Sequence, residues 1–381
     1  MKALALGLVL AVSAAQPRIS SAAGEPYFIG ASVSESGPGS SLGRPAADSM
    51  QLAVDEINKA GGVNGHPLQI TILDDESNTT TAVNNVRKLL DQHPVAILGS
   101  TLSQATLAMI ALTQPAQVPL IALASNAQVI EPVSERKWVF KMPINDTRVV
   151  SAMQAYMQKR KQLKVALVYR DDDYGKTGLA HFKAAGEAAG FDVVDAEPIG
   201  ATATDATTQL THVKAANPQA VVVWTTLPSA NVVINGYREL GLPYPIYYSD
   251  GVATGLFLQQ AGSALSGAFI ATSKINVADQ LPPGDPQKKL ISHYVDAFTT
   301  SYPKDGPVSI FGAVGYDGVY VLKAALQKAG APGPKLRDAL EHVSYTGISG
   351  TFRMSPTDHN GLSLDSLELT QIDNQRFKIV R

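Results

Sequence analysis

Residues 95–126 of this chain read VAILGSTLSQATLAMIALTQPAQVPLIALASN, and this stretch decides the fold. Two short apolar strands, at 95–98 and 120–123, each run into a small polar turn that opens a helix. In a parallel sheet such turns lie together at the carboxyl edge. Backbone N–H groups and the hydroxyls of Ser103 and Ser125 can converge there on one anionic group, for which a carboxylate is suited. The alternative is that Ser and Asn in these turns only cap helices.

The same order of strand, turn and helix recurs along the chain. It runs from Tyr27 to Met142, starts again with a helix at Val149 and continues to about residue 272. Strands that alternate with helices of about a dozen residues predict parallel sheets with right-handed crossovers. Short strands near the end are most easily accommodated by returning to sheets already built. The sequence therefore predicts an α/β protein with two lobes, between which the chain crosses more than once.

Length and charge exclude several classes of function. The 381 residues suffice for two domains of ordinary size. With 31 Lys and Arg against 33 Asp and Glu, and no basic block, the chain has no surface suited to nucleic acid. The absence of cysteine excludes disulfides, zinc–thiolate sites and cysteine nucleophiles.

The N-terminus predicts export. Lys2 precedes an apolar run at 3–15, and small residues end the segment at Ala23. This pattern is typical of a secretory signal peptide over residues 1–23, with a buried N-terminal helix as the alternative. No later stretch reaches the roughly 20 apolar residues of a membrane span. We therefore expect a soluble protein in the periplasm.

Two polar stretches superficially resemble motifs that bind a nucleotide or a metal, but they lack the residue spacing that those motifs require. The turn at 37–43 has neither the Lys-Ser/Thr nor the glycine spacing of a nucleotide-binding loop. The acidic run Asp74-Asp75-Glu76 lacks the alternating ligands of a calcium loop, so solvated loop charge and helix capping explain it better. We predict no metal and no cofactor.

Several motifs carry a resemblance to a known family. They are Gly37-Pro38, the stretch DEINKAGGVNG at 55–65, Asp74-Asp75, Asp173-Tyr174-Gly175 and Gly315-Tyr316-Asp317. With them the sequence resembles, from about Tyr27 to its end, the periplasmic substrate-binding proteins of ABC importers for leucine, isoleucine and valine. The stretch at 55–65 is quite specific to that family.

The resemblance implies a type I periplasmic binding protein, with two doubly wound parallel-sheet lobes joined by a three-strand hinge. Ligand binds in the cleft, and the lobes close on it. Residues 24–146 plus 274–353 would form the N-terminal lobe, and residues 147–273 plus 354–381 the C-terminal lobe.

The resemblance also implies a set of ligand contacts. The N-terminal lobe would hold the carboxylate of an amino acid through Ser103, Ala124, Ser125 and Asn126. From the other lobe Tyr174 would contact the ligand, and Asp250 would pair with its ammonium group. Phe311 would supply an aromatic wall. Taken singly, Tyr174 is also compatible with an exposed turn residue and Asp250 with a helix cap.

Two positions depart from the family pattern. Leu42 and Thr226 stand where branched-chain amino-acid binders carry a large aromatic residue. We therefore expect a roomier pocket that suits a bulkier ligand, such as an aromatic amino acid, an aromatic carboxylate or an amide.

The predicted function is delivery of a small solute to the permease subunits of an ABC importer, by a monomeric binding protein. An exported hydrolase that uses one of the acidic turns is disfavoured because the seven His residues are scattered and the chain has no H-E-x-x-H motif. A ligand-sensing receptor subunit is the further alternative, since the same fold serves receptors.

Overall fold

The computed structural model of this protein describes residues 24–304 and 306–380, so the predicted signal peptide lies outside the described residues. Two large β-sheets with helices packed against them form the framework. Within these ranges no helix combines the length and the apolar character that a membrane crossing requires.

The first sheet has five strands in the order β2-β1-β3-β4-β5, and every neighbouring pair is parallel. Its elements in chain order are β1 (Tyr27–Val33), α1 (Ser40–Lys59), β2 (Leu68–Asp74), α2 (Thr79–Leu90), β3 (Ala96–Gly99), α3 (Ser103–Thr113), β4 (Leu120–Ala122) and β5 (Val139–Lys141). All four residues of β3 are buried, as in parallel sheets that are covered on both faces. Both strands predicted in the stretch 95–126 are present, and the helix predicted after the first turn is α3.

The second sheet has seven strands in the order β14-β13-β10-β9-β8-β6-β7. Its elements up to β10 are α4 (Asp146–Lys159), β6 (Lys164–Arg170), α5 (Asp173–Glu187), β7 (Asp192–Ile199), α6 (Thr207–Ala216), β8 (Ala220–Trp224), α7 (Ser229–Glu239), β9 (Ile246–Tyr248), α8 (Gly255–Ala261) and β10 (Phe269–Ser273). These strands pair in parallel, which confirms the predicted α/β class for this part of the chain as well.

The remainder of the chain returns to both sheets. It comprises α9 (Lys288–Ser301), α10 (Ile310–Ala329), α11 (Pro334–Leu340), β11 (Ser344–Thr346), β12 (Thr351–Arg353), β13 (Leu367–Asp373) and β14 (Arg376–Ile379). Helix α10 packs closely on α1: a Cβ added at Gly315 would lie 2.6 Å from the Ala46 carbonyl oxygen, so only glycine permits this approach. We call the five-stranded sheet with its helices, α10 included, the first lobe, and the seven-stranded sheet with its helices the second lobe.

The closing strands differ in part from the prediction. Strands β13 and β14 join the second sheet, as expected, but through antiparallel pairs: β13 with β10, and β14 with β13. Strand β12 does not return to either large sheet; it pairs with β11, which the sequence did not predict, in a separate two-stranded hairpin. A three-residue strand gives too short a pattern for its partner to be read from sequence.

The chain passes between the lobes after β5, after β10 and after β12. Two of these segments are hydrogen-bonded to each other: the Lys141 N–H donates to the His359 carbonyl oxygen at 3.0 Å. The Asn360 side-chain amide donates to the carbonyl oxygens of Lys141 and Pro143, at 2.9 and 2.8 Å. The crossings after β5 and after β12 are therefore directly connected, while the lobe limits given above remain a prediction.

The acidic run Asp74-Asp75-Glu76 departs from the expectation of solvated loop charge at one residue: Glu76 is exposed as expected, but Asp75 is not. Asp75 is fully buried and accepts hydrogen bonds from the hydroxyls of Ser34 and Ser100, both at 2.6 Å. These serines follow β1 and β3, which flank each other in the sheet, so Asp75 ties the carboxyl ends of three strands together. Asn78, and none of the acids, caps α2.

Candidate functional site

A cavity lies between the lobes, where the carboxyl ends of strands from both sheets meet. Seven of the predicted site residues line it: Leu42, Ser103, Ser125, Tyr174, Thr226, Asp250 and Phe311. The cavity is also lined by Thr101, Gln104, Arg170 and Asp172, which the sequence analysis did not select. The structure thus brings most of the predicted residues to one place, and their contact with a ligand remains a prediction.

The first lobe presents the N-terminus of α3 to the cavity. Ser103 is the first residue of this helix, and the residue at the cap position is Leu102, whose side chain cannot accept a hydrogen bond. Ser103 is therefore not a helix cap, in contrast to the alternative considered from sequence. The Thr101 hydroxyl is buried and has no hydrogen-bond partner among the described residues. A helix N-terminus with free hydroxyl groups beside it is suited to an anionic group.

Two predicted residues of the second turn do not line the cavity. Ala124 is buried in a small apolar cluster of the first lobe. Asn126 caps a short 3₁₀ turn by accepting from the Gln128 N–H at 2.8 Å, as the alternative from sequence proposed. Its amide also donates to the Thr177 hydroxyl at 3.1 Å. Since Thr177 belongs to α5, Asn126 joins the two lobes to each other.

A buried lysine stabilises the second turn, which follows β4. Lys141, at the end of β5, is fully buried, and its Nζ donates to the Ser125 carbonyl oxygen at 2.6 Å and to the Asn145 side-chain oxygen. Burial lowers the pKa of Lys141 to about 8, and the charges of Asp146 and nearby acids oppose that shift. The lysine fixes the backbone of the turn that offers Ser125 to the cavity. A charged residue inside an otherwise apolar strand was the signal that could have revealed it.

The second lobe places three polar side chains along its sheet edge. Arg170 ends β6, Thr226 follows β8 and Asp250 follows β9, and these strands are neighbours in the order β6-β8-β9. Tyr174, in the first turn of α5, donates its hydroxyl to Ser249 at 3.0 Å. Tyr174 is only 7% exposed, so it is not an exposed turn tyrosine.

Asp250 is the least compensated group in the cavity. Its side chain is 7% exposed, and its Oδ1 has no hydrogen-bond partner among the described residues. Burial, with a further contribution from the charge of Asp146, raises the pKa of Asp250 to about 7, although Lys141 acts in the opposite direction. A buried carboxylate with an unpaired oxygen is stabilised by a cation or by a proton. The cap of the adjacent 3₁₀ turn is Ser249, so Asp250 is not the helix cap considered as its alternative.

Asp146 connects Asp250 electrostatically with the hinge. It begins α4, directly after the first crossing, and is fully buried. Its Oδ1 lies 3.2 Å from Nδ1 of His181, and this contact raises the pKa of His181. Lys141, Asp146, His181 and Asp250 therefore form one electrostatically coupled group between the hinge and the cavity.

The space beside Thr226 is not empty, which corrects the expectation of a roomier pocket at that position. The guanidinium group of Arg170 donates from Nη1 to the Thr226 hydroxyl. Its Nε lies 2.5 Å from Oδ2 of Asp172, which also caps α5 by accepting from the Gly175 N–H. Arg170 and Thr226 are 56 residues apart, so no local motif relates them. Leu42, on the opposite lobe, is 4% exposed and packs in the same apolar cluster as Phe311.

Two lobes of parallel sheet, a hinge between them and a cleft at the strand ends define a type I periplasmic binding protein. A sequence profile of the periplasmic binding protein family matches residues 26–375, and the chain belongs to that family.

Named relatives and solved structures agree with this family assignment. The leucine-, isoleucine-, valine-, threonine- and alanine-binding protein of Pseudomonas aeruginosa is 24% identical over 315 residues, which is 82% of each chain. An extracellular ligand-binding receptor from Rhodopseudomonas palustris superimposes with a TM-score of 0.87 at 29% identity, over 93% of this chain and 99% of that one. The branched-chain amino acid transporter substrate-binding protein of Streptococcus pneumoniae, solved with isoleucine, gives 0.80 at 25% identity, with the same coverage.

Proposed function

We propose that this protein is the extracytoplasmic solute-binding component of an ABC importer and that it binds an amino acid in the cleft between its lobes. The carboxylate of Asp250, whose Oδ1 has no hydrogen-bond partner among the described residues, lines the same cavity as the uncapped N-terminus of α3, and this observation carries the proposal. An amino acid has a carboxylate and an ammonium group, and these two sites offer one partner for each.

The roles of the residues follow from their chemistry. The N–H groups at the start of α3 and the hydroxyls of Ser103 and Ser125 bind the ligand carboxylate, because the helix N-terminus carries a partial positive charge. Asp250 receives the ammonium group in a charge-assisted hydrogen bond. Tyr174 is already bonded to Ser249 and so presents a fixed aromatic surface, and Phe311 covers the side group from the first lobe.

Delivery to a permease completes the proposal. The signal segment 1–23 directs the protein to the periplasm, where it acts as a monomer, and the lobes close on the ligand by bending at the crossing segments. The names of the relatives support an amino-acid ligand, since one is named for binding five amino acids and another was solved with isoleucine.

A thermal-shift screen tests the ligand class. Each amino acid is compared with the acid that lacks only its amino group, at the same concentration. An amino acid at a hundred times its Kd is expected to stabilise the protein by about 2.7 kcal/mol, and its deaminated partner much less. Equal stabilisation by both members of each pair would show that Asp250 does not bind an ammonium group. An aromatic or aliphatic carboxylate would then be the ligand.

A further inference from the structure

We propose that Arg170 determines specificity by binding a neutral oxygen acceptor, a carboxamide or a hydroxyl, on the side group of the ligand. The inference rests on the proposed function, since it names the class of amino acid that the cleft accepts. It implies that this protein prefers amino acids with polar, uncharged side groups over aliphatic ones.

The guanidinium group has donors to spare. A guanidinium carries five N–H groups. In Arg170 one Nη1 hydrogen is donated to Thr226. Nε forms an ion pair with Asp172 but no hydrogen bond, and Nη2 makes no hydrogen bond to any residue in the described ranges. Arg170 lines the cavity and is 5% exposed, so the remaining donors have little access to bulk water. Closure around an aliphatic side group would leave them without an acceptor, which is unfavourable for buried N–H groups.

The position of Arg170 assigns it to the side group rather than to the α-carbon. Strands β6 and β9 lie on either side of β8, so their ends are about 10 Å apart, at about 4.8 Å per strand. Asp250 is at the β9 end and receives the ammonium group. The guanidinium leans from the β6 end towards Thr226 on β8. When the ammonium group of the ligand is bound at Asp250, the ligand atoms that reach the guanidinium group of Arg170 are therefore several bonds away from that ammonium group.

The charge on Asp172 favours a neutral acceptor over an anionic one. Asp172 offsets the positive charge of Arg170 through the contact at 2.5 Å. A carboxylate on the ligand would gain hydrogen bonds from Arg170 but would lie near the carboxylate of Asp172, which also lines the cavity. A carboxamide or hydroxyl oxygen accepts the same hydrogen bonds without that repulsion.

Ligands of equal shape test this directly. Leucine, asparagine and aspartate differ in the chemistry of the branched end and hardly in its shape; glutamine, glutamate and their aliphatic isostere form a longer set. Calorimetry on the ligand-free mature protein should give an affinity for the amide at least tenfold above that for the aliphatic member in one of the two sets. The carboxylate member should also bind more weakly than the amide. Equal or tighter binding of the aliphatic members in both sets would overturn the inference.

Arg170→Met is the decisive variant, with alanine as the control ligand. Alanine has no polar side group, so its affinity reports on the carboxylate and ammonium sites alone. We expect the variant to lose the preference for the amide and to keep its affinity for alanine within a few-fold. An unchanged ratio of amide to aliphatic affinity would refute a role for Arg170 in specificity. If no amino acid binds the unmodified protein, including alanine, the proposed function itself fails, which is a separate result.

A second variant distinguishes a structural role of Arg170 from a role in specificity. The pair with Asp172 also fixes the turn between β6 and α5, so Arg170→Met can lower stability. Thr226→Val keeps the arginine and its pair with Asp172, but it removes the hydroxyl that orients the guanidinium group. A reduced preference for the amide, at an unchanged melting temperature, supports the inference. An unchanged preference in both variants overturns it.

Discussion

The affinity for an amino acid should depend on pH through Asp250. In the ligand-free cavity, burial raises the pKa of Asp250 to about 7. An ammonium group binds the ionised carboxylate, so below that pKa a proton must leave before the ligand can bind. Each pH unit below about 7 then costs about 1.4 kcal/mol, and the affinity at about pH 5 is expected to be roughly a hundredfold weaker than at about pH 8.

A ligand without the amino group reverses the sign. An oxygen of such a ligand would accept a hydrogen bond from protonated Asp250, and this carboxyl group is protonated below its pKa. The affinity would then fall as the pH rises through about 7. The direction of the pH dependence thus distinguishes an amino acid from its deaminated acid.

Calorimetry in two buffers of different ionisation enthalpy measures both the affinity and the protons exchanged. At about pH 6 the binding of an amino acid should release close to one proton. Asp250→Asn should abolish this release and weaken amino-acid binding. A pH-independent affinity in the unmodified protein would refute the assignment of Asp250.

His181 is a second titratable group coupled to Asp146 and needs its own control. Contact with Asp146 raises the pKa of His181. Once protonated, His181 cancels the charge of Asp146 and so makes Asp250 easier to ionise, which reduces the slope. In His181→Gln the pH dependence should therefore be at least as steep as in the unmodified protein. A flat profile in this variant would assign the effect to the histidine instead.

Three further perturbations probe other parts of the molecule. Ser103→Ala should weaken any carboxylate ligand by about 1–3 kcal/mol in calorimetry, and an unchanged affinity would remove Ser103 from the site. Lys141→Met leaves the Ser125 carbonyl and the neighbouring acids uncompensated, so urea unfolding should show a loss of about 3–5 kcal/mol, while the exposed Lys183→Met should change little. Without ligand, stability should fall by about 2–3 kcal/mol between about pH 5 and about pH 7, because the raised pKa of Asp250 makes the folded state bind more protons there than the unfolded state, and Asp250→Asn should remove most of that fall.

Much of the fold could be predicted because the signals are local. The apolar strands at 95–98 and 120–123 and the polar turns after them predicted the carboxyl edge that lines the cavity. Strand pairing then brought Asp250 to the same edge as Thr226, which follows from the general topology of such sheets.

The errors concern partners that are distant in sequence. Asp75 was expected in solvent because its serine partners lie 41 and 25 residues away. Arg170 was not selected from the sequence, because its bond to Thr226 depends on the pairing of β6 with β8. Lys141 gave no periodic signal, since a single charge in a three-residue strand does not reveal which carbonyl it reaches. Side-chain contacts of this kind depend on the finished tertiary structure.

The bond from Asn126 to Thr177 has a consequence for the resting protein. It joins the two lobes without lining the cavity, so it requires no contact with a solute. Under the proposed hinge closure, a bond of about 1 kcal/mol raises the closed, empty population about fivefold. A closed protein without a solute has the same outer shape as a closed protein with a solute bound. Asn126 therefore influences how often a transporter would meet a carrier without cargo, and hence how much nucleotide hydrolysis would move nothing across the membrane.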